Sequence, residues 1–359
     1  MIISKLINEK GLCCPACQAK EFSNTDGEDI VEGVIACSNC GAKYNVMHDV
    51  LSMIPEETNK SETKKDIQKF WKDLYHAAYD GHDLINDKYE FARQLTQLKD
   101  LFNVRKHLAV TEMPIEELKG KKVLEIGPGA GAHSSLFSHY GAEVTALDIT
   151  LDRVFSTKSK LDLIAEDGDY LALQGDAENL PFSDCHFDIV YSNGVLHHTP
   201  DTQKAINEVY RILKPSGTAI IMLYARNSYL YWINIFLLRG VLLGNIFKGK
   251  NWLGKVTEWM SDKDQKIYNP ETKVYNSREI KELFNKFETI NIRKGSFVFN
   301  HFPFVGKYIS KLLGMRTGFN EAGKLVYDAP WRNDSKFEVW LGKIIGFNLN
   351  IKAFKKNNN

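Results

Sequence analysis

The 359-residue chain has almost no net charge, with 46 Lys and Arg against 45 Asp and Glu. A balance of +1 gives no electrostatic case for a nucleic-acid or anionic-membrane partner, and leaves only a local patch open. Cysteine is nearly absent outside residues 13–40, where five of the six are found. That crowding suits metal binding better than a disulfide framework. The apolar run in Met1-Ile-Ile-Ser-Lys-Leu-Ile-Asn8 is too short for a secretory signal, so the expected location is cytoplasmic. The long apolar stretch, Tyr229–Phe247, is interrupted by Asn234, Arg239, Gly240 and Gly244. A central arginine is costly in lipid, which excludes a transmembrane reading. Internal repeats, low-complexity blocks and a conventional nucleophile–base constellation are all missing.

What is present is organised around Val123-Leu-Glu-Ile-Gly-Pro-Gly-Ala-Gly131. Val123, Leu124 and Ile126 read as a buried strand, and His133–Tyr140 reads as a helix. A strand feeding three glycines into a helix start suits a nucleotide-like ligand, because backbone and ligand can approach closely. Ala142–Asp148 reads as the next strand, ending in an acid 21 residues after Gly127. At that spacing a carboxylate can accept both hydroxyls of a ribose. Gly127, Gly129 and Ala132 formally satisfy a dinucleotide fingerprint, which keeps a nicotinamide enzyme open.

Three further stretches argue otherwise: Gly175-Asp-Ala-Glu-Asn-Leu-Pro-Phe182, Phe187-Asp-Ile-Val-Tyr-Ser-Asn-Gly-Val-Leu-His-His-Thr-Pro-Asp201, and Leu213-Lys-Pro-Ser-Gly217. Together with the glycine turn they closely resemble the class I S-adenosylmethionine-dependent methyltransferases. The resemblance is nearest to the small-molecule branch that includes quinone-biosynthesis enzymes. It covers roughly residues 120–224 and, more loosely, the end of the chain. It implies an α/β fold with a Rossmann-like seven-stranded sheet and helices on both faces. It also implies S-adenosylmethionine as cofactor, with Glu125, Gly127, Gly129 and Gly131 at its methionine end. Asp148 would take the ribose, Asp176 and Ala177 the adenine, and Asn193 the cleft wall. Asn193–His198 would line the methyl-transfer site, with His197, ranked slightly ahead of His198, as general base. The competing reading is that this pair only holds its loop.

Ahead of this region, Cys14-Pro-Ala-Cys17 and Cys37-Ser-Asn-Cys40 form two C-x-x-C knuckles. Four thiolates complete a closed tetrahedral shell, so a bound Zn2+ is expected to be structural. Cys13 is out of phase and reads as a bystander. The segment through Pro55 resembles the zinc-ribbon activator subunit of some tRNA and translation-factor methyltransferases, here fused to the enzyme. Its few lysines favour docking to a protein over reading nucleic acid.

The expected organisation is a zinc ribbon over 1–55, a linker and helical lid over 56–119, and the main domain over 120–359. Within the lid, Trp71, Tyr75 and Tyr79 either face the ligand or pack the helix on the core. The domain carries insertions at about 226–275 and 295–345. The first is read as a substrate lid, a shallow membrane-interface element or a packing helix. The second is read as irregular and aromatic-rich (Phe297, Phe299, Phe302, Phe304, Trp331). Three functions follow: methyl transfer to a small, apolar molecule; methylation of RNA with the ribbon as reader; and a non-catalytic docking subunit.

Overall fold

The computed structural model describes residues 3–23, 30–55, 62–79, 85–165, 169–262, 265–303, 305–327 and 329–357. Phe304 and the side chain of Tyr79, both named above, lie outside them. In chain order the sheet strands are β1 (Gly33–Ala36), β2 (Lys43–Met47), β3 (Val50–Ser52), β4 (Lys122–Ile126), β5 (Glu143–Asp148) and β6 (Tyr170–Gln174). They continue with β7 (Phe187–Asn193), β8 (Leu213–Tyr224), β9 (Thr289–Gly295) and β10 (Asn348–Phe354). All ten join one sheet in the order β1-β2-β3-β6-β5-β4-β7-β8-β10-β9. Strands β6-β5-β4-β7-β8 run parallel, and β10 is antiparallel to both β8 and β9.

The parallel strands are buried on both faces, which is why they read as short apolar runs without alternation. Leu124, Ile126, Val190 and Ile221 enter the core on one side. Val123, Val144, Ile189 and Ile220 enter the core on the other. Helices α1 (Glu62–Tyr79) and α2 (Lys88–Arg105) precede β4. Asp87 caps α2 by accepting from the backbone N–H groups of Tyr89 and Glu90, and Phe91, Leu95, Leu98 and Phe102 form its buried stripe.

The seven expected strands are present, but the sheet has three more. The cysteine-rich segment adjoins the main sheet: its β3 pairs in parallel with β6, matching Leu51 to Leu173. The Cys13 N–H also donates to the Pro181 carbonyl at 2.9 Å. Apolar side chains at positions 12, 22, 35, 44, 46 and 51 therefore join the same core as Leu173 and Phe182.

The Lys214 ammonium lies 2.9 Å from the Asp188 carboxylate. Asn276 caps helix Ser277–Leu283 through a capping box with Glu279. The stretch after 295 is not irregular throughout, since Gly306–Thr317 is a helix (α3) and Lys336–Ile345 another (α4). The apolar 229–247 stretch forms a π-helix over Leu230–Leu242 and a short 3-10 turn.

Candidate functional site

The C-terminal ends of β4, β5, β6 and β7 open onto one cavity of about 820 Å³, counted to its mouth. Clefts at that edge of an open α/β sheet bind ligands. Gly127 and Gly129 form its floor, both with positive φ, where a side chain is strained. A Cβ on Gly127 would stand 2.3 Å from Val195, and one on Gly129 would stand 2.6 Å from the Tyr75 hydroxyl. Asp148 and Asp176 with Ala177 form one wall, and Asn193 and His198 the other. Trp71 and Tyr75 of α1 close it from above, together with Lys64.

Asp148 is buried, and its Oδ1 accepts from the Thr150 N–H and hydroxyl, each at 2.8 Å. Burial pushes its carboxyl up to about 6, against the opposing hydrogen bonds of Thr150 and the charge of Arg153. The Asp176 carboxylate is already engaged. Its Oδ1 accepts from the Glu178 N–H at 2.9 Å, and Oδ2 accepts from Lys64 at 2.5 Å and Asn179 at 3.0 Å. Burial works against the Lys64 ammonium, yet Asp176 and Glu178 raise its pKa overall. The Asn193 Oδ1 is buried with no hydrogen-bond partner among the described residues.

Three candidates fall outside the cavity wall. Glu125 alternates onto the α-helical side of β4, where Ser134 Oγ donates to it at 2.5 Å and His133 Nδ1 lies 3.4 Å away. Gly131 instead serves packing: its Cβ would stand 2.9 Å from the Thr157 Cα. His197 is fully buried, with neither ring nitrogen hydrogen-bonded among the described residues, 3.8 Å from the Tyr224 ring by centroids. Burial first, and His198 second, push its pKa well below the usual imidazole range, so it is neutral.

The order of the two histidines therefore reverses. His198 lies in the cavity wall, 5.1 Å from the Trp71 ring by centroids. Its Nδ1 lies 2.9 Å from the Glu271 carbonyl, which can only accept, and 3.0 Å from the Asn269 amide nitrogen, which can only donate, so these contacts admit either tautomer. Nε2 lies 3.7 Å from Glu258 Oε1. Glu258 is itself fixed: Tyr224 donates to Oε1 at 2.7 Å, while Asn269 (2.9 Å) and Thr272 (3.2 Å) donate to Oε2. Sequence reading missed Glu258, Asn269 and Thr272 because they sit in the first insertion, which no motif marks. It missed Lys64 because that residue closes a polar stretch read as linker.

At the other end of the chain, the sulfurs of Cys14, Cys17, Cys37 and Cys40 all lie within 4.8 Å of one another. The Cys14–Cys40 and Cys17–Cys37 separations are both 3.6 Å. Cys13 stands apart and donates to the Gln18 side chain at 3.2 Å.

Residues 124–221 match the family model described as a methyltransferase domain. The chain is 28% identical over 170 residues to the ubiquinone/menaquinone biosynthesis C-methyltransferase of Haemophilus ducreyi, covering 46% of this chain and 62% of that protein. A Pasteurella multocida protein of the same name is 28% identical, with 49% and 65% covered, so the chain spans less than two thirds of either relative. Among solved structures, the Bacillus subtilis YcgJ protein is 20% identical, with TM-score 0.42, covering 69% of this chain and 97% of that one. A complex containing the Haloferax volcanii Trm112 methyltransferase activator is 16% identical, with TM-score 0.45, covering 82% and 99%. Among the described residues, no helix is long and apolar enough to cross a membrane.

Proposed function

We propose that the protein transfers the methyl group of S-adenosylmethionine to a small apolar acceptor. The observation that carries this reading is the convergence of Gly127, Gly129, Asp148, Asp176, Ala177 and Asn193 on one cavity. The cofactor supplies an already activated, electrophilic methyl, so the protein's task is orientation and exclusion of water. Gly127 and Gly129 leave room for the methionine portion, Asp148 accepts from the ribose hydroxyls, and Ala177 faces the adenine. Asp176 reaches the adenine only by sharing its carboxylate with Lys64. Asn193 Oδ1, lacking a partner, is available to a donor on the ligand. Trp71 and Tyr75 shut out water. His198 Nε2 removes a proton from an acceptor that must lose one, and Glu258 stabilises the resulting imidazolium. The apolar walls (Ile67, Ile126, Leu147, Val195) and the apolar first insertion favour an apolar acceptor over RNA.

Cys14, Cys17, Cys37 and Cys40 are proposed to hold a structural Zn2+. Their 3.6 Å sulfur separations fit the roughly 3.8 Å edge of a tetrahedron with Zn–S bonds near 2.3 Å. The ribbon's partner, on this reading, is its own domain.

Calorimetric titration with S-adenosylhomocysteine, with NADH as control, tests the cofactor assignment. Binding of the former alone is the expected result. Silence with both, from folded and zinc-loaded protein, would leave the docking-subunit reading in place, and a steeply salt-dependent RNA affinity would favour RNA methylation. The same titration checks Asp148 against pH. Ribose hydroxyls donate best to the ionised carboxylate, which forms as pH rises through about 6. Affinity should therefore climb between about pH 5 and 7, by up to about tenfold per unit at the acid end, and then level off. Asp148→Asn should bind weakly at every pH. A pH-independent wild-type affinity would contradict the ribose role.

A further inference from the structure

The near-zero net charge of the chain conceals a strong local asymmetry. Residues 209–257 contain no Asp or Glu, and neither do residues 289–320. The same insertions leave large apolar side chains in solvent. Sixteen of the twenty such side chains exposed among the described residues fall within 226–275 and 295–345, under a third of the chain. Scattered exposure is ordinary, but concentration on a few neighbouring elements marks a surface that something covers.

The elements meet. The Tyr229 ring stacks on Phe302 at 4.5 Å, and the Asn234 amide of the π-helix donates to the His301 carbonyl. Phe299 stacks on Phe337 of α4 at 6.1 Å, and the Gly306 N–H at the start of α3 donates to the Phe302 carbonyl. The π-helix, α3 and α4 thus surround one turn, 297–303. On α3, Tyr308, Leu312 and Met315 form an exposed stripe at i, i+4 and i+7, with Met315 79% exposed. On α4, Phe337, Trp340 and Ile344 form another at i, i+3 and i+7. At the end of the π-helix and just beyond it, Leu242, Leu243 and Phe247 are exposed, Phe247 to 83%.

Every exposed charge on these elements is positive. Lys307, Lys311 and Arg316 flank the α3 stripe, Lys336 and Lys343 flank that of α4, and Lys248 and Lys250 follow Phe247. The single acid of α4, Glu338, is fully buried against Arg332. Apolar and aromatic side chains fringed by bases, with the exposed acid beyond α3, Glu321, paired to Lys324 at 2.8 Å, match the layered chemistry of an anionic bilayer surface. The rings and aliphatics enter the acyl boundary, and the ammonium groups stay with the phosphates. A folded protein partner would be expected to meet acidic groups as well as basic ones here. No helix among the described residues is able to cross, so attachment would be to the surface.

We propose that these insertions form a docking face for an anionic lipid bilayer. The test is co-sedimentation of the full-length, zinc-loaded protein with vesicles of phosphatidylcholine alone or mixed with phosphatidylglycerol. It is run without any cofactor, so its outcome is separate from that of the methyl-transfer reading. Binding to the anionic vesicles is expected, weakened by salt and by omission of phosphatidylglycerol. The paired variants Leu312→Glu/Met315→Glu and Phe337→Glu/Trp340→Glu should each lower the partition coefficient about tenfold or more. Because all four side chains are exposed, thermal midpoint and S-adenosylhomocysteine binding should be unchanged. Absence of anionic-vesicle binding at low salt, or binding that both variants leave intact, would overturn the proposal. So would self-association that both variants abolish in a protein that ignores vesicles, since a second copy would then be what covers the face.

Discussion

His198→Ala should lower kcat by about 10²–10⁴ for an acceptor that must be deprotonated, while S-adenosylhomocysteine binds as before. The expectation rests on three features together. His198 lies in the cavity wall, its Nδ1 is held among the Glu271 carbonyl, Asn269 and Thr272, and Nε2 is left beside the Glu258 carboxylate. Glu258→Gln keeps the shape and the hydrogen bonds but removes the charge that favours an imidazolium, so a smaller loss of about tenfold is expected. His197→Phe should alter kcat little, because that ring is sealed away against Tyr224 with no contact to the cavity. The measurement is steady-state kinetics with an acceptor found by screening apolar metabolites. Equal losses for His197→Phe and His198→Ala would show that the pair acts through packing alone and would remove the base assignment.

The second large effect concerns the four cysteines. Stripping the metal with a chelator, or making Cys37→Ser, should drop the thermal midpoint by about 5–10 °C and expose the edge of the main sheet. The reason lies in the continuity of that sheet. Strands β1–β3 are attached to β6 through only the short β3, three residues long. Cys14 and Cys37 are themselves buried in the core that these strands share with Leu173 and Phe182, so loss of the metal loosens that shared packing. Hydrogen exchange should rise first in residues 30–55 and then in β6, which becomes an edge. Zinc content measured by atomic absorption supplies the control. Full stability in protein shown to be metal-free would refute the structural role.

Much of the site was legible in order along the chain. The glycine turn, Asp148, Asp176 and Asn193 each follow a strand, and strands of a parallel sheet deliver their C-terminal ends to one edge. Local pattern was therefore enough to bring these residues together. The same logic failed for Glu125 and Gly131. Both belong to the glycine motif, but strand alternation turns Glu125 away from the cleft, and helix packing against Thr157 accounts for Gly131. Proximity in a motif is not proximity to a ligand.

Sequence alone determined the parallel core and the two cysteine knuckles, because each depends on residues close together in the chain: short apolar runs, glycine turns and C-x-x-C spacing. Only the tertiary structure decided which histidine faces the cavity, since adjacent residues on a one-turn helix end in different surroundings. Glu258 and Lys64 reach the site across 60 and 112 residues from His198 and Asp176 respectively, and no local pattern encodes such a contact. The fusion of ribbon and sheet belongs to the same class: a strand of three residues carries no signal of the edge it will choose, and the burial it shares with β6 makes that choice.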